Sequence, residues 1–275
     1  FNTHSLSFDG VDDYVQVFDV EGLNPNGLSV TTWFKPLEYS NQIIIQNGGA
    51  GAGNYNWAYK WRNATENLYF QIYADGDWIS VTFPYLELNQ WHHVVTTFNG
   101  SIMIGYLNGV PIDTMINTLS INYNDSPIDI GSANASQEYF NGNIDEVSLW
   151  NTALTQSDIQ SYMTTSPAGG ETGLVGYWNF NTGTGTTLTD QTSNGNNGTI
   201  VGATWSTDVP TTSTGGGDAD YQNDASELII SWSGSDAASG ISTYEYALGT
   251  TSGGTEEIDW TSTGTSTADT ITGLS

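Results

Sequence analysis

The sequence has no cysteine and only three lysine or arginine residues, against 30 aspartate or glutamate residues. Without cysteine, neither a disulfide framework nor a thiolate metal site can form. The formal charge of −27 repels nucleic acid and anionic membrane surfaces, so we expect no nucleic-acid partner. No run of 18 apolar residues occurs, and we therefore expect no membrane insertion. The many carboxylates fit an extracellular or salt-adapted protein and offer oxygen ligands for Ca²⁺.

The clearest structural signal is a stretch in which two Asn-Gly pairs separate three strand-like segments. Asn99-Gly100 and Asn108-Gly109 suit two-residue hairpin turns, because asparagine and glycine tolerate positive φ angles. The pattern predicts a three-stranded meander with strands at about 91–98, 101–107 and 110–115. Both faces of this meander carry apolar side chains, so it needs cover on both sides, as in a sandwich.

Similar short strands, separated by turn residues, continue to residue 207 and predict an all-β domain over 1–207. The predicted helix spans 155–163, after a start that resembles a capping box. Residues 208–217 have the composition of a linker. Residues 218–275 form a second module with four strand-like segments. An immunoglobulin-like sandwich has about seven strands, so we expect this module to leave an open edge.

One acidic turn is a candidate metal site. Carboxylates and backbone carbonyls gather there, and Ca²⁺ binds six to eight such oxygens. Two further acids would join the turn if the first and last strands of the domain pair. The predicted ligands of a structural Ca²⁺ are therefore Asp9, Gly10, Asp12, Asp13, Asp145 and Glu146. The alternative is an Asx-type turn without a metal.

Alternate residues of one predicted strand are aromatic and share one face, whereas Lys60 and Arg62 lie on the other face. Flat aromatic rings can stack on sugar rings, but such a face is equally suited to a sandwich core. The aromatic set is Tyr55, Trp57, Tyr59 and Trp61. The candidate ligand-binding residues are Tyr55, Trp57, Asp75, Asp77 and Trp78, of which Tyr55 and Trp78 lie nearest to loops.

The adjacent histidines His92 and His93 are interpreted as structural residues. Neighbouring side chains of a strand point to opposite faces, so the two imidazoles cannot bind one metal together. No serine or cysteine motif that would supply a nucleophile lies near them.

Four segments carry a family resemblance and together span nearly all of residues 1–207. They are LSFDGVDDYVQV (6–17), LNQWHHVVTTFNGSIMIGYLNGV (88–110), FNGNIDEVSLWNTALTQSDIQ (140–160) and GLVGYWNFNTGTGTTLTDQTSNGNNGTIVGATW (173–205). These segments resemble the laminin G-like domains of the concanavalin A-like lectin and glucanase superfamily. The resemblance implies a jelly-roll β-sandwich, and members of the family often carry a structural Ca²⁺ near the acidic turn.

The order of these segments differs from that of many family members. In those members the GLVGYW-like strand precedes the FDGVDDYV-like strand, and here it follows. We interpret the segment as a permuted edge strand that closes the sheet. The alternative is that it opens a further repeat.

The C-terminal module resembles part of a fibronectin type III-like domain of bacterial surface proteins. The segments that carry this resemblance are LIISWSGSDAASGISTYEYALGTT (228–251) and TITGLS (270–275).

The resemblance also bears on catalysis. One glucanase family of this fold carries an E-x-D-x-x-E motif on a strand, and glycosidases need two carboxylates at the scissile bond. With Asp145 aligned to the central Asp, Asn143 and Ser148 occupy both Glu positions. We therefore predict that the chain is not an enzyme.

The combined prediction is a secreted or cell-surface binding module. In the first hypothesis it belongs to a Ca²⁺-stabilised bacterial adhesin that recognises glycan or protein through loops at the sandwich edge. In the second it is an accessory carbohydrate-binding region of a secreted polysaccharide-degrading enzyme. In the third it is a structural subunit of an extracellular fibre, whose self-assembly completes the open edge with a strand from another chain. Fold alone does not decide between them.

Overall fold

The computed structural model describes residues 2–18, 20–23, 26–48, 55–63, 65, 67–74, 77–116, 121, 126–210, 227–231, 244–248, 258–264 and 268–272. Two compact units, Phe1–Pro210 and Thr211–Ser275, make up the chain. The first unit runs three residues beyond the predicted boundary at 207. Asp208 is attached to it, because its carboxylate accepts hydrogen bonds from Lys35 Nζ at 2.7 Å and from Trp91 Nε1 at 3.0 Å.

The first unit contains two eight-stranded antiparallel sheets and one helix in its described part. Sheet A consists of β1 (Ser5–Asp9), β3 (Leu28–Pro36), β8 (His92–Phe98), β9 (Ile102–Leu107), β10 (Val110–Ile116), β12 (Asn141–Trp150), β13 (Leu174–Trp178) and β16 (Thr204–Ser206). Sheet B consists of β2 (Tyr14–Val17), β4 (Gln42–Gly48), β5 (Tyr55–Arg62), β6 (Asn67–Ala74), β7 (Asp77–Thr82), β11 (Ile128–Ile130), β14 (Thr187–Leu188) and β15 (Gly198–Val201). The helix α1 is Gln156–Thr164.

The strand order in sheet A is β10-β9-β8-β3-β12-β1-β16, with β13 also paired to β12. In sheet B it is β14-β15-β2-β11-β4-β5-β6-β7. The predicted meander is confirmed as β8, β9 and β10. In its second turn Asn108 and Gly109 both have positive φ, at 49° and 79°, as a tight hairpin turn requires. The all-β jelly-roll sandwich is thus the observed fold.

Large aromatic rings fill the space between the sheets. Trp57, Tyr59 and Trp61 of β5 are fully buried, and Phe34 of sheet A meets Trp61 edge-on at 6.2 Å. The Tyr59 hydroxyl oxygen lies 3.1 Å from the carbonyl oxygen of Val30 in the opposite sheet. The prediction that Trp57 contacts a ligand is therefore wrong, because its side chain faces the core.

The outer face of sheet A is covered by the helix. Val95 and Tyr106 of the meander pack with Trp150 and with Ile159 of α1 in a second apolar cluster. Thr155 caps the helix and forms a capping box with its third residue. None of the helices in the described part of the chain is both long enough and apolar enough to span a membrane.

The segment 173–205, which begins with GLVGYW, contributes strands to both sheets of the first unit. Its first strand, β13, pairs with the C-terminal half of β12. Farther along, β15 pairs with β2 and β16 pairs with β1. The segment therefore packs within the same unit as the strands that precede it.

The second unit is described only as two antiparallel strand pairs. β17 (Glu227–Ser231) pairs with β20 (Ala268–Thr272), and β18 (Tyr244–Leu248) pairs with β19 (Ile258–Gly264). The fibronectin type III-like assignment and the open edge remain predictions.

Replacement of Gly131 by alanine should destabilise the first unit strongly. Gly131 has φ 84°, and a Cβ there would lie 2.5 Å from the Phe8 ring. The left-handed backbone costs about 1–2 kcal/mol and the overpacking about 1–3 kcal/mol more. Gly195→Ala is the matched control, since Gly195 has φ 75° with no atom within 4 Å of a Cβ. Urea unfolding should show the larger loss for Gly131→Ala, and equal losses would contradict the contact.

Candidate functional site

A row of mostly polar side chains crosses the outer face of sheet B. Its members are direct cross-strand neighbours, because the registers of six strand pairs coincide. In spatial order they are Thr199, Gln16, Asp129, Gln46, Ala58, Gln71 and Ser80. Each is the outward residue of its strand, so one line of amide, carboxyl and hydroxyl groups, interrupted by Ala58, crosses the sheet.

Asp129 is the centre of this row and is fully buried. Gln16 Nε2 donates to Asp129 Oδ1 at 2.8 Å, and Gln46 Nε2 donates to Oδ2 at 3.2 Å. Burial raises the pKa of the Asp129 carboxyl, although the two amide hydrogen bonds oppose the shift. These bonds orient Gln16, Asp129 and Gln46, three of the seven side chains of the row.

The segment 132–139, here called the flap, covers the middle of the row. Ala133 packs on Ile43 and Ala58 in a small apolar cluster. Three flap residues other than glycine have positive φ angles of 50–55°, namely Asn134, Ala135 and Glu138. Strained backbone of this kind is concentrated at functional sites in proteins.

Beside the flap lies the face cleft, an open depression of about 170 Å³. Its polar and aromatic lining consists of Gln46, Lys60, Arg62, Gln71, Trp78 and Glu138, above Ile43 and Ala58. Lys60 Nζ bridges both Glu138 carboxylate oxygens, at 2.7 and 2.8 Å. Arg62 donates to Gln71 Oε1 at 3.2 Å. The cleft therefore joins an aromatic ring to planar amide, guanidinium and carboxylate groups.

Aromatic side chains extend the rim of the face cleft. Trp78 is 41% exposed, and its ring centroid lies 5.1 Å from that of Tyr73. The guanidinium carbon of Arg62 lies 5.7 Å from the centroid of the Tyr69 ring. Asp77 precedes Trp78 in β7 and is exposed. Of the other predicted ligand residues, the Tyr55 side chain and all of Asp75 lie outside the described residues.

The acidic turn is compact. The carboxylates of Asp9, Asp12 and Asp13 each offer an oxygen within 4.8 Å of the others. Asp13 Oδ2 accepts a hydrogen bond from Asp9 N at 2.9 Å, and Asp9 Oδ1 accepts one from Val11 N at 2.8 Å. Burial, followed by the charges of Asp9 and Asp12, raises the pKa of Asp13. Gly10 adopts φ 79° against the Asn141 side chain. The three acids thus form a concentrated negative site.

Asp145 and Glu146 do not belong to this turn, and that part of the predicted ligand set is wrong. The first and last strands do pair as expected, but the register places Asp9 opposite Asn141 and Leu6 opposite Ile144. Asp145 is therefore four residues along β12 from the turn, or roughly 13 Å at about 3.3 Å per residue.

Glu146 instead lines a separate polar cleft of about 230 Å³, and Asp145 lies buried next to it in β12. Asp145 is fully buried, and its Oδ2 accepts a hydrogen bond from Asn2 Nδ2 at 2.7 Å. Glu146 has φ 49°, and its Oε2 accepts a hydrogen bond from the Tyr177 hydroxyl at 2.5 Å. Burial raises the pKa of both carboxyls, and that of Asp145 lies well above its ordinary value.

The two histidines, and the two β12 residues at the acid positions of the glucanase motif, pack or hydrogen bond within the sandwich. His93 is buried against Trp33, at 5.0 Å between ring centroids, and burial lowers its pKa to about 3. His92 Nε2 lies 2.8 Å from the carbonyl oxygen of Glu87. Asn143 Nδ2 donates to Ser5 Oγ at 3.1 Å, and Ser148 Oγ lies 2.6 Å from Thr31 Oγ1.

A family profile, Laminin_G_3, described as the concanavalin A-like lectin/glucanases superfamily, matches residues 9–160, more than half of the chain. The chain belongs to this superfamily. No curated protein sequence matches it.

Solved structures align with part of the chain. A candidate carbohydrate-binding protein from Bacteroides ovatus aligns with a TM-score of 0.60 and 22% identity, over 74% of this chain and 60% of that chain. The chain thus spans about 60% of the length of that relative. A SAP-like pentraxin from Limulus polyphemus aligns with a TM-score of 0.47 and 20% identity, over 58% and 82% of the two chains. The botulinum neurotoxin serotype D ligand-binding domain, solved with N-acetylneuraminic acid, gives 0.46 and 20%, over 58% and 42%. At 22% identity the likeness to the Bacteroides ovatus protein shows the fold alone.

Sequence reasoning missed most of the face cleft of this concanavalin A-like unit. The prediction that Lys60 and Arg62 lie on the face opposite the aromatic set is correct. The chain has only three lysine or arginine residues, and two of them on one strand face were the available signal for a site there. Gln46 and Glu138 are distant in sequence and reach the cleft only through strand register and the fold of the flap.

The buried carboxyl of Asp145 should make stability fall as pH rises. Because the pKa of this carboxyl is raised in the folded protein, folding favours its neutral form. The contribution of the carboxyl to the free energy of unfolding is therefore fully present below pH 3.8, the ordinary pKa, and is lost as pH rises through the folded pKa. Asp145→Asn should flatten the slope of unfolding free energy against pH by up to about 1.4 kcal/mol per pH unit in that window. Asn2 can turn its amide to present Oδ1, which has no hydrogen-bond partner in the described structure.

The measurement is urea unfolding at a series of pH values between about 4 and 8, a range chosen to start near the ordinary value. Asp77→Asn removes an exposed carboxyl and is the control variant. If Asp145→Asn and the wild type keep the same slope, the buried carboxyl is not a neutral acid in the folded state.

Proposed function

We propose that the first unit is a non-catalytic carbohydrate-binding module that binds its glycan in the face cleft. The observation that carries this proposal is the half-exposed Trp78 ring beside Arg62, Gln71 and Lys60 in one open depression. A sugar ring presents an apolar face that packs on an aromatic ring, and hydroxyls at its edge that hydrogen bond with polar side chains. The cleft supplies both kinds of group.

The fold supports binding rather than catalysis as the proposed role. The Bacteroides ovatus relative is described as a candidate carbohydrate-binding protein. The strand positions that carry acids in one glucanase family hold Asn143 and Ser148 here, and both are hydrogen bonded within the sandwich. Neither side chain can act as a carboxylate acid or nucleophile.

The parent protein is proposed to be a secreted or cell-surface adhesin of a bacterium. An accessory region of a polysaccharide-degrading enzyme would need the same cleft, so the cleft serves both hypotheses. A structural fibre subunit would not need it. A glycan bound at the face cleft thus favours the first two hypotheses over the third.

The acidic turn is proposed to hold one structural Ca²⁺ through Asp9, Asp12 and Asp13. Three carboxylates in so small a space repel one another, and a hard dication with oxygen ligands removes that repulsion. The described residues form two ion pairs, Lys35–Asp208 and Lys60–Glu138, and neither neutralises a carboxylate of the acidic turn. When bound, Ca²⁺ would stiffen the loop between β1 and β2.

Trp78→Ala should abolish most glycan binding. Loss of an interface anchor of this kind typically costs at least about 2 kcal/mol, or roughly 30-fold in affinity. A glycan array should identify the ligand, and titration calorimetry should then compare the variants. Tyr85→Ala is the matched control, because Tyr85 is 59% exposed but does not line the cleft. A Trp78→Ala protein that binds as tightly as the wild type would rule out the face cleft.

Addition of Ca²⁺ should raise the melting temperature of the wild type. At ten times the dissociation constant the gain is about 1.4 kcal/mol, which is roughly 3–6 °C for a unit of this size. Asp12→Asn should lose this shift, whereas Glu38→Gln, a change at an exposed acid elsewhere, should keep it. The test is a thermal melt with Ca²⁺ and with EDTA. No shift in the wild type would refute the metal site.

A further inference from the structure

A second and larger cleft lies at the loop edge of the sandwich, between the loop after β2, the turn after β12 and the loop that precedes β15. Its volume is about 770 Å³, within the range of small-molecule sites in proteins. The lining includes Phe18, Glu21, Asn151, Leu174, Asn194 and Asn196. This loop-edge cleft shares no lining residue with the face cleft.

The loop before β15 is rigidly held around Asp190. The carboxylate of Asp190 accepts hydrogen bonds from Tyr177 N, Thr192 N and Asn196 N at 2.9–3.0 Å, and from Thr192 Oγ1 at 2.7 Å. With four such bonds the carboxylate fixes the path of the loop. The lining residues of this loop therefore do not need to be ordered when a ligand binds.

Two asparagine side chains of that loop are oriented by one acceptor. Asn194 Nδ2 and Asn196 Nδ2 both donate to the carbonyl oxygen of Val175, at 2.8 and 2.9 Å. Within the described structure, their amide oxygens have no hydrogen-bond partner. Fixed amides with a spare carbonyl oxygen are suited to accept hydrogen bonds from ligand hydroxyls.

The charge of the lining restricts the class of ligand. Among the described lining residues, Glu21 is the one ionisable side chain, and none is lysine, arginine or histidine. An anionic ligand would face a carboxylate with no compensating cation. Phe18 is 57% exposed and offers a flat apolar surface beside these polar groups. The combination fits a neutral molecule that has many hydroxyls and one apolar face.

We propose that the loop-edge cleft is a second saccharide-binding site, specific for neutral sugars. The first unit then binds glycan at two separate places. Two sites on one rigid unit raise the avidity for a polysaccharide chain or surface beyond that of either site alone.

The experiment is calorimetric titration with three neutral tetrasaccharides, cellotetraose, xylotetraose and mannotetraose, and with tetragalacturonate as the anionic comparison. Four proteins are compared: wild type, Phe18→Ala, Trp78→Ala and the double variant. Tyr85→Ala controls for loss of an exposed aromatic ring elsewhere. Thermal melts of all variants establish that they are folded. Phe18 and Trp78 are exposed, so little effect on folding is expected.

The expected result is a stoichiometry of two for at least one neutral sugar, falling to one in each single variant and to none in the double variant. Asn194→Ala in the Trp78→Ala background should weaken the remaining site at least tenfold. A single site that Trp78→Ala removes and Phe18→Ala leaves intact would overturn this inference while the face cleft stands. A single site with the opposite response would support the loop-edge cleft and refute the face cleft. Preference of the loop-edge site for tetragalacturonate, or no binding of any probe, would overturn the inference.

Discussion

The packing of aromatic rings between two antiparallel sheets is the constraint on which the rest of the structure depends. Burial of a tryptophan side chain removes about 150–250 Å² from water and is worth about 4–6 kcal/mol. An unpartnered buried N–H costs about 1–3 kcal/mol. The indole nitrogens of Trp57 and Trp61 are buried without a partner in the described structure, so burial of the rings outweighs their polar cost. The alternation of β5 then directs Lys60 and Arg62 to the outer face.

Strand register aligns the outward side chains of neighbouring strands across sheet B. Each of the seven strands from β15 to β7 contributes one outward residue to the same row, because their pairings are in step. A slip of one residue in any strand would bury a polar side chain in the core and break the row. The core and the candidate site are therefore specified by the same pairing, although their side chains point in opposite directions.

The sequence was sufficient to predict the class of fold, the β8–β10 meander and the helix cap, because alternation, Asn-Gly turns and capping residues are local signals. It was insufficient for register. The expectation that Asp145 joins the acidic turn failed although β1 and β12 do pair, because their offset places Asn141 there instead. The choice of Trp57 as a ligand contact failed for a related reason, since periodicity shows which residues share a face but not which face is inside. Glu138 reaches Lys60 through a flap with left-handed backbone, which no local pattern indicates.

The distribution of charge separates the two clefts more sharply than their shapes do. At physiological ionic strength the field of a surface charge is screened over about 8 Å, so nearby groups matter more to a ligand than the net charge of −27. The face cleft holds two of the three lysine and arginine residues of the chain, of which Lys60 pairs with Glu138, whereas the described lining of the loop-edge cleft holds Glu21 and no cation. Cations are so rare in this chain that their pairing in one depression sets the face cleft apart. With both clefts occupied as proposed, the unit would present two surfaces of different local charge to one polysaccharide.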